Sequence, residues 1–235
     1  MIGQNCFDIS NIKFNWAQNQ TAFLNIASLH LSRGEKLFIH GPSGCGKSTL
    51  LNLITGVLSP THGEISILGN NIHELNQSNR DQFRVDHMGI IFQQFNLIPY
   101  LNVFENIALP CAFSNKRKMM LSDQKRELFE EAQRLLFSLG LNDKNILSKN
   151  VTELSTGQQQ RVAAARALIG SPEIIIADEP TSALDQDTKN GFLELLFNEA
   201  KQSNSAILFV SHDLGLSAQF DRTISFHELN QLQND

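Results

Sequence analysis

The sequence predicts an α/β fold in which helices cover both faces of a mostly parallel sheet. Short strand-like runs alternate with helical runs along the 235 residues, an alternation typical of layered α/β domains. Two of the runs, 173–177 and 206–210, are almost entirely apolar, as expected for strands buried on both faces. A glycine-rich loop between a strand-like and a helix-like segment is the third observation that favours this class.

The individual elements are predicted in chain order. Residues 36–40 read as a short buried strand, and residues 47–55 as the helix that follows the glycine-rich loop. Residues 63–68 alternate between apolar and polar side chains, which is typical of a half-buried strand. Short buried strands are also predicted at 88–92, 173–177 and 206–210.

The middle of the chain is predicted to be helical. Between 123 and 139 the apolar residues share one helical face, with charged residues opposite and Gly140 as the expected end of the helix. The apolar residues are Leu128, Ala132, Leu135, Leu136 and Leu139. No strand pattern is visible between about 93 and 156. We therefore predict one domain, 1–235, in which a helical subdomain, 93–156, is inserted into a core formed by 1–92 and 157–235.

Composition argues against several classes of protein. A formal net charge of −5 gives no general attraction to DNA or RNA, so no nucleic-acid partner is expected. No apolar stretch approaches the ~18–20 residues that span a bilayer, and the N-terminus does not resemble a signal peptide, so we expect a cytoplasmic protein. The three cysteines are widely spaced and indicate neither a disulfide framework nor a zinc site. The basic run 116–118 is interpreted as a solvated face, with contact to an anionic membrane surface as the alternative.

The glycine-rich loop carries the clearest chemical signal. It matches the phosphate-binding pattern G-x-x-x-x-G-K-[ST] and reads Gly41-Pro42-Ser43-Gly44-Cys45-Gly46-Lys47-Ser48-Thr49. Its glycines allow backbone N–H groups to converge on an anion, and the positive end of the following helix adds to the attraction. Lys47 can contact the β- and γ-phosphates, and the Ser48 hydroxyl can bind Mg²⁺. The loop predicts nucleotide binding, and the alternative is a chance Gly/Ser turn.

A second polar constellation follows a buried strand. The segment Ile174-Ile175-Ile176-Ala177-Asp178-Glu179 ends in two carboxylates. The ends of such strands open into the ligand crevice of α/β sheets, and neighbouring strand residues point in opposite directions. Asp178 is suited to hold Mg²⁺, and Glu179 to accept a proton from a water that attacks the γ-phosphate. The alternative for an Asp-Glu pair is a solvated turn.

A family resemblance becomes specific at residues 154–161. The sequence Leu154-Ser155-Thr156-Gly157-Gln158-Gln159-Gln160-Arg161 resembles the signature of ATP-binding cassette (ABC) ATPases, with Thr156 where glycine is usual. The Phe92-Gln93 pair resembles the Q-loop of that family, and Ser182-Ala183-Leu184-Asp185 its D-loop. The triplet Ser211-His212-Asp213 resembles the switch histidine, and Trp16 stands where the family has an aromatic residue that stacks on adenine. These motifs stand in family order from residue 16 to residue 213.

The resemblance implies a fold and a mechanism. The fold is that of a RecA-like P-loop NTPase with an N-terminal antiparallel β subdomain. Two copies pack head to tail around two ATP molecules with Mg²⁺, and hydrolysis needs this dimer. The loop 41–49 of one copy then faces the signature residues of the other copy, which are Ser155, Thr156, Gly157 and Gln158. Gln93 contacts Mg²⁺ and the attacking water, His212 contacts the γ-phosphate and orients Glu179, and Asp185 crosses the interface.

The residues after the Q-loop resemble one subfamily of these ATPases. Segments 96–99 and 103–110 are similar to the bacterial lipoprotein-releasing, macrolide-export and cell-division ATPases. This implies a separate membrane permease whose coupling helix docks near the Q-loop, with the ATPase on the cytoplasmic face of the inner membrane. Candidates for that docking surface, with core packing as the alternative, are Phe95, Leu97, Ile98 and Tyr100. The other open functions are an amino-acid importer and a non-transport ABC ATPase of the cell-division or mechanotransmission type.

Trp16 and Cys45 have two interpretations each, and five phenylalanines have one. Trp16 is interpreted as the adenine-stacking residue, with a core position as the alternative. Cys45 lies among backbone donors beside Lys47 and near a helix N-terminus, which are surroundings that favour a thiolate. We hypothesise that Cys45 reacts with maleimides and that bound ATP protects it, the alternative being an unreactive filler. Five phenylalanines are expected in the core, namely Phe83, Phe92, Phe104, Phe129 and Phe137.

Overall fold

A computed structural model describes residues 5–17, 22–143, 145–182, 184 and 186–232. The chain divides into two compact units, one formed by Met1–Arg84 with Ala206–Asp235 and the other by Val85–Ser205. In the part of the chain that is described, no helix is both long and apolar enough to cross a bilayer.

The elements alternate along much of the chain, as the sequence predicts. The strands are β1 (Asn5–Phe14), β2 (Leu24–Ser32), β3 (Lys36–His40), β4 (His62–Ile67), β5 (Asn70–Asn71), β6 (Met88–Ile91), β7 (Ile174–Asp178), β8 (Ala206–Ser211) and β9 (Arg222–Ser225). The helices are α1 (Lys47–Ile54), α2 (Gln77–His87), α3 (Val103–Phe113), α4 (Asn115–Asp123), α5 (Leu128–Ser138), α6 (Thr156–Leu168), α7 (Gln186–Gln202) and α8 (Phe226–Leu229). Short 3₁₀ turns lie at Ile146–Ser148, Val151–Glu153 and Leu214–Gln219. The predicted strands and the first helix are confirmed to within one or two residues.

The first unit contains an antiparallel sheet with strand order β2-β1-β4-β5. Ile9 of β1 stands opposite Leu29 of β2 and Ile65 of β4, and all three are buried. The register between β1 and β4 shifts after Ser10, where Asn11 has a φ of 50°. A Cβ atom on Gly63 would lie 2.3 Å from the Asn11 carbonyl oxygen, so this irregularity requires glycine on the partner strand.

The same unit contains three parallel strands with β3 in the middle. β8 and β9 both pair with β3 in parallel, and every residue of β8 is buried. The second unit contains the parallel pair β6 and β7. A Cβ atom on Gly89 of β6 would lie 2.2 Å from the Ala167 carbonyl oxygen, so α6 packs directly on this strand. These parallel and antiparallel sheets with their helices confirm the predicted α/β class of P-loop NTPases.

The helix predicted over 123–139 begins later than expected, at Leu128. α4 ends at Asp123, and Lys125 follows in a left-handed conformation with a φ of 55°. The Arg126 N–H then donates to the Leu121 carbonyl at 2.9 Å, which closes the end of α4 as a Schellman motif. The predicted end of α5 is confirmed, because Gly140 has a φ of 79° and lies just beyond the helix.

The interpretation of the basic run 116–118 as a solvated face is wrong for Arg117, which is buried, whereas Lys118 is exposed. Arg117 is 1% exposed and donates to the backbone carbonyls of Val85, Met88, Ala167 and Ile169. Burial lowers the pKa of the Arg117 guanidinium to about 10, so the side chain stays charged at neutral pH. Lys116 forms an ion pair with Glu173. Arg117 therefore anchors α4 to the ends of β6 and α6 within the second unit.

Three of the phenylalanines expected in the core are exposed, namely Phe92, Phe129 and Phe137. The apolar face of α5 is carried by Ala132, Leu135 and Leu136, whereas Phe137 lies on the opposite side of the helix and Phe129 at the edge of that face. Phe129 contacts the half-buried Phe104 with ring centroids 5.2 Å apart. The prediction failed because it used residue type alone and not helical position.

Candidate active site

The glycine-rich loop forms a cradle in the first unit, between β3 and α1. Gly44 and Gly46 have φ values of 80° and 115°, a conformation that other residues rarely adopt. A Cβ atom on Gly46 would also lie 3.0 Å from the Leu24 side chain. Gly46 is the N-cap of α1, so the first N–H groups of this helix lie at the loop. Such a backbone suits a phosphate chain.

Lys47 is buried and its ammonium lies over this loop. Nζ donates to the Gly41 carbonyl at 2.8 Å and to the Pro42 carbonyl at 2.9 Å. Ser48 follows in the first turn of α1 with its side chain exposed, while Thr49 is buried. The loop therefore presents a fixed positive charge and an accessible hydroxyl. These are the groups that bind a nucleoside triphosphate with its divalent cation.

His212 is positioned at the next strand end in the same unit. His40 and Ser211 are paired residues of the parallel strands β3 and β8, and the Gly41 N–H donates to the Ser211 carbonyl at 3.3 Å. The phosphate loop and His212 therefore leave neighbouring strands at the same edge. The Asp213 carboxylate accepts from the Gly215 N–H at 3.2 Å, which shapes the turn after the histidine. His212 itself is exposed at the surface of this unit.

Trp16 is not a core residue, since 59% of it is exposed. Its ring makes edge contacts with Phe14 and Phe23, at centroid distances of 5.1 Å and 6.1 Å. A Cβ atom on Gly46 of the phosphate loop would lie 3.2 Å from the Phe23 ring. Trp16 therefore contacts Phe23, which lies next to the phosphate loop, and this is where an adenine-stacking residue is expected.

The second unit brings Gln93 and the two carboxylates to one edge of its strand pair. Ile91 at the end of β6 is paired with Ala177 of the parallel strand β7. Gln93 follows β6 by two residues, Asp178 is the last residue of β7, and Glu179 comes next. The amide and carboxylate oxygens at this edge are of the type that Mg²⁺ prefers.

Glu179 has an unusual backbone and is 8% exposed. Its φ is 45°, in the left-handed region that a residue with a side chain occupies only when surrounding contacts enforce it. The Ser182 N–H donates to the Glu179 carbonyl at 3.2 Å and begins a tight turn. The turn directs the chain away from the strand directly after the carboxylate. The D-loop residue Asp185, which the resemblance assigns to the dimer interface, lies outside the described residues.

The signature residues form the N-terminus of α6. Ser155 is the N-cap and makes a capping box with Gln158, in which each side chain accepts from the backbone N–H of the other residue. Thr156 is the first helical residue and does not have a positive φ, so glycine is not needed there. Ser155 and Thr156 are exposed, whereas much of the rest of α6 is buried. The positive end of the helix therefore faces outward.

The expected docking residues after the Q-loop differ in how far they are exposed. Phe95 is buried, which bears out core packing for this residue, whereas Tyr100 is 82% exposed. Leu97 and Ile98 are half-buried. Sequence reasoning missed a residue that shapes this segment, the fully buried Asn106 of α3. Its side-chain amide accepts a hydrogen bond from the Ile98 N–H and donates one to the Ile98 carbonyl. A polar residue on the buried face of an apolar helix is the signal that could have identified it.

Cys45 allows a direct test of the nucleotide cradle. It is half-buried in the loop, whereas Cys6 and Cys111 are buried. We expect one maleimide label per folded chain, at Cys45. The rate of labelling should fall roughly tenfold at an ATP concentration ten times the Kd. Mass spectrometry of the labelled chain with and without Mg-ATP gives both rates, and Cys45→Ser is the control that removes the label. Equal rates with and without nucleotide would refute the hypothesis.

Comparison with known proteins agrees with this geometry. Residues 24–182 match a family model described as ABC transporter. The chain is 42% identical over 196 residues to the ABC transporter ATP-binding protein YtrE of Bacillus subtilis, covering 83% of this chain and 81% of that protein. It is 36% identical over 209 residues to the lipoprotein-releasing system ATP-binding protein LolD of Shewanella denitrificans, covering 89% and 86%. The dimeric post-hydrolysis structure of the ATP-binding cassette MJ0796 with ADP and Pi has a TM-score of 0.78 and 33% identity over 93% of each chain.

Proposed function

The chain belongs to the family of ABC transporter ATP-binding proteins, and from that premise we propose that two copies enclose two Mg-ATP and drive a separate membrane permease. The protein binds ATP and hydrolyses it, as an ATPase of this family. The observation that best supports shared sites is the capped N-terminus of α6, where Ser155 and Thr156 are exposed and Gly157 and Gln158 are half-buried. In the proposed dimer these donors meet the γ-phosphate held by the other copy's Lys47.

Each catalytic group has a role that follows from its chemistry. Glu179 accepts the proton of the attacking water, and its burial at a strand end keeps the carboxylate in one place. His212 donates to the γ-phosphate, and Gln93 orients the water. The oxygens of Ser48, Gln93 and Asp178 would hold Mg²⁺, which when bound offsets charge on the phosphates. Trp16 stacks on the adenine, and Asp185 links the two sites.

The output of the cycle is mechanical. Bound ATP stabilises the closed dimer and hydrolysis allows it to open, so nucleotide state biases a two-state element. We propose that a permease coupling helix docks beside the Q-loop and converts closure into transport. The similarity to LolD supports an exporter or lipoprotein-release system. The protein would then lie on the cytoplasmic face of the cell membrane, bound through its permease.

Purification from native membranes tests the proposed association with a permease. We expect one integral membrane subunit to co-purify in constant ratio with the tagged chain, and Tyr100→Ser to reduce its recovery by at least about tenfold, as for an exposed aromatic anchor. Val57→Ser, an exposed apolar position in the first unit, is the matched control and should retain the subunit. Recovery of the chain without any membrane protein would contradict the transporter role, and equal recovery from both variants would contradict docking at Tyr100.

A further inference from the structure

Two side chains of α6 hold the backbone beside the proposed catalytic residues. Gln160 is 1% exposed, and its Nε2 donates to the Pro180 carbonyl at 2.9 Å. Pro180 directly follows Glu179. The bond therefore ties the signature helix to the turn that places the proposed base.

Arg166 makes the equivalent contact with the segment that directly follows the Q-loop, nearly two turns further along the same helix. Its Nη1 donates to the Asn96 carbonyl at 2.7 Å and its Nη2 to the Phe95 carbonyl at 2.5 Å. Burial lowers the pKa of the Arg166 guanidinium, although that group ordinarily titrates so far above neutral pH that it stays charged. Two charge-assisted bonds from a planar fork fix both the position and the orientation of these carbonyls.

The bonded segments share a strained backbone. Glu179, Phe95 and Asn96 have φ values of 45°, 59° and 48°, and none of them is glycine. Such conformations persist only where neighbouring contacts determine them. The Gln160 and Arg166 bonds are contacts of this kind, and both start from α6.

We propose that Gln160 and Arg166 are positioning residues for ATP hydrolysis, which set Glu179 and Gln93 relative to the signature helix. The proposal rests on the catalytic roles given above to Glu179 and Gln93. Ser155 lies at the N-terminus of the same helix. The position of α6 therefore affects two sites: the site in which Glu179 and Gln93 of its own copy act, and the site that Ser155 completes in the partner. A shift of α6 when the partner's ATP binds would move both catalytic loops.

Single variants first test whether Gln160 and Arg166 contribute to ATP hydrolysis. Gln160→Met and Arg166→Met remove the donors and should lower kcat by on the order of 10–10²-fold, as for a displacement of about 1 Å at a catalytic group. The ATP Kd measured without Mg²⁺ should stay within about twofold, because Lys47 and the phosphate loop are unchanged. Arg166→Lys should recover part of kcat, since an ammonium still reaches one carbonyl. Gln133→Met and Lys201→Met, at exposed positions of α5 and α7, are matched controls that should leave kcat unchanged.

A double-variant cycle separates positioning from general packing. If Gln160 acts through Glu179, then Gln160→Met should not lower the residual turnover of Glu179→Gln further, and Arg166→Met should behave likewise with Gln93→Ala. Multiplying effects, or single variants that bind ATP normally and keep wild-type kcat, would overturn the proposal. Full turnover by Glu179→Gln alone would instead remove the catalytic role on which it rests. If Gln160→Met loses ATP binding, Gln160→Asn replaces it, because this shorter amide preserves polarity but does not reach Pro180.

Discussion

Glu179→Gln is expected to lower ATP turnover on the order of 10²–10⁴-fold, the usual contribution of a general base. The amide has nearly the shape of the carboxylate but does not accept a proton from water at neutral pH. Because Glu179 is buried at the end of β7 and separate from the phosphate loop in sequence, ATP affinity should remain within about twofold. Phosphate release under saturating ATP measures the first quantity, and equilibrium binding of ATP the second.

The same variant should accumulate as an ATP-bound dimer. With hydrolysis slowed, the closed state has no route to reopen, so size-exclusion chromatography should show a dimer with ATP and a monomer without it. Glu194→Gln, an exposed carboxylate on α7, is the matched control and should turn over ATP like the wild type. Unchanged turnover in Glu179→Gln would exclude this residue as the base.

Arg117→Met is expected to lower the free energy of unfolding by about 3–5 kcal/mol, because it removes the hydrogen bonds that a buried charged group donates to backbone carbonyls. The Arg117 guanidinium donates at 2.6–2.7 Å to Ile169, Met88 and Val85, and methionine has no polar hydrogen to replace it. These carbonyls lie at the ends of α2, β6 and α6, so the loss affects all three elements where they meet α4. Urea denaturation followed by circular dichroism measures the change.

Lys118→Met is the matched control for this prediction. Lys118 is the next residue of the same basic run and is exposed, so its replacement should change the unfolding free energy by less than about 0.5 kcal/mol. Arg117→Lys should also destabilise the protein, because one ammonium does not reproduce the fixed fork. Equal midpoints for Arg117→Met and Lys118→Met would show that the buried bonds contribute nothing to stability.

The strands were predictable because they are buried runs with clear ends. β8 is apolar apart from Ser211 and buried throughout, and β3 precedes a loop with an unmistakable glycine pattern. The break between α4 and α5 was not predictable, because Lys125 takes a left-handed conformation that no glycine or proline marks. Gly140 gave a visible signal for the same geometry, and the end of that helix was placed correctly.

The site was predictable to the extent that its parts are contiguous in sequence. The phosphate loop, the carboxylates after β7 and the signature are local patterns, since each depends on one turn or one helix end. Sequence patterns did not reveal the roles of Gln160, Arg166 and Asn106, because their partners are backbone groups that any residue supplies. Charge count also misled, since Arg117 and Lys118 are adjacent but one is buried and the other exposed.

Mixed dimers test the shared sites most directly. One dimer carries Lys47→Ala in one copy and Ser155→Arg in the other, so both defects fall in one composite site and the second site stays intact. The other dimer carries both substitutions in the same copy, which leaves each composite site with one defect. In a Glu179→Gln background, the first dimer should retain ATP after gel filtration and the second should retain none. Equal retention by the two dimers would contradict the proposal that each copy completes the site of the other.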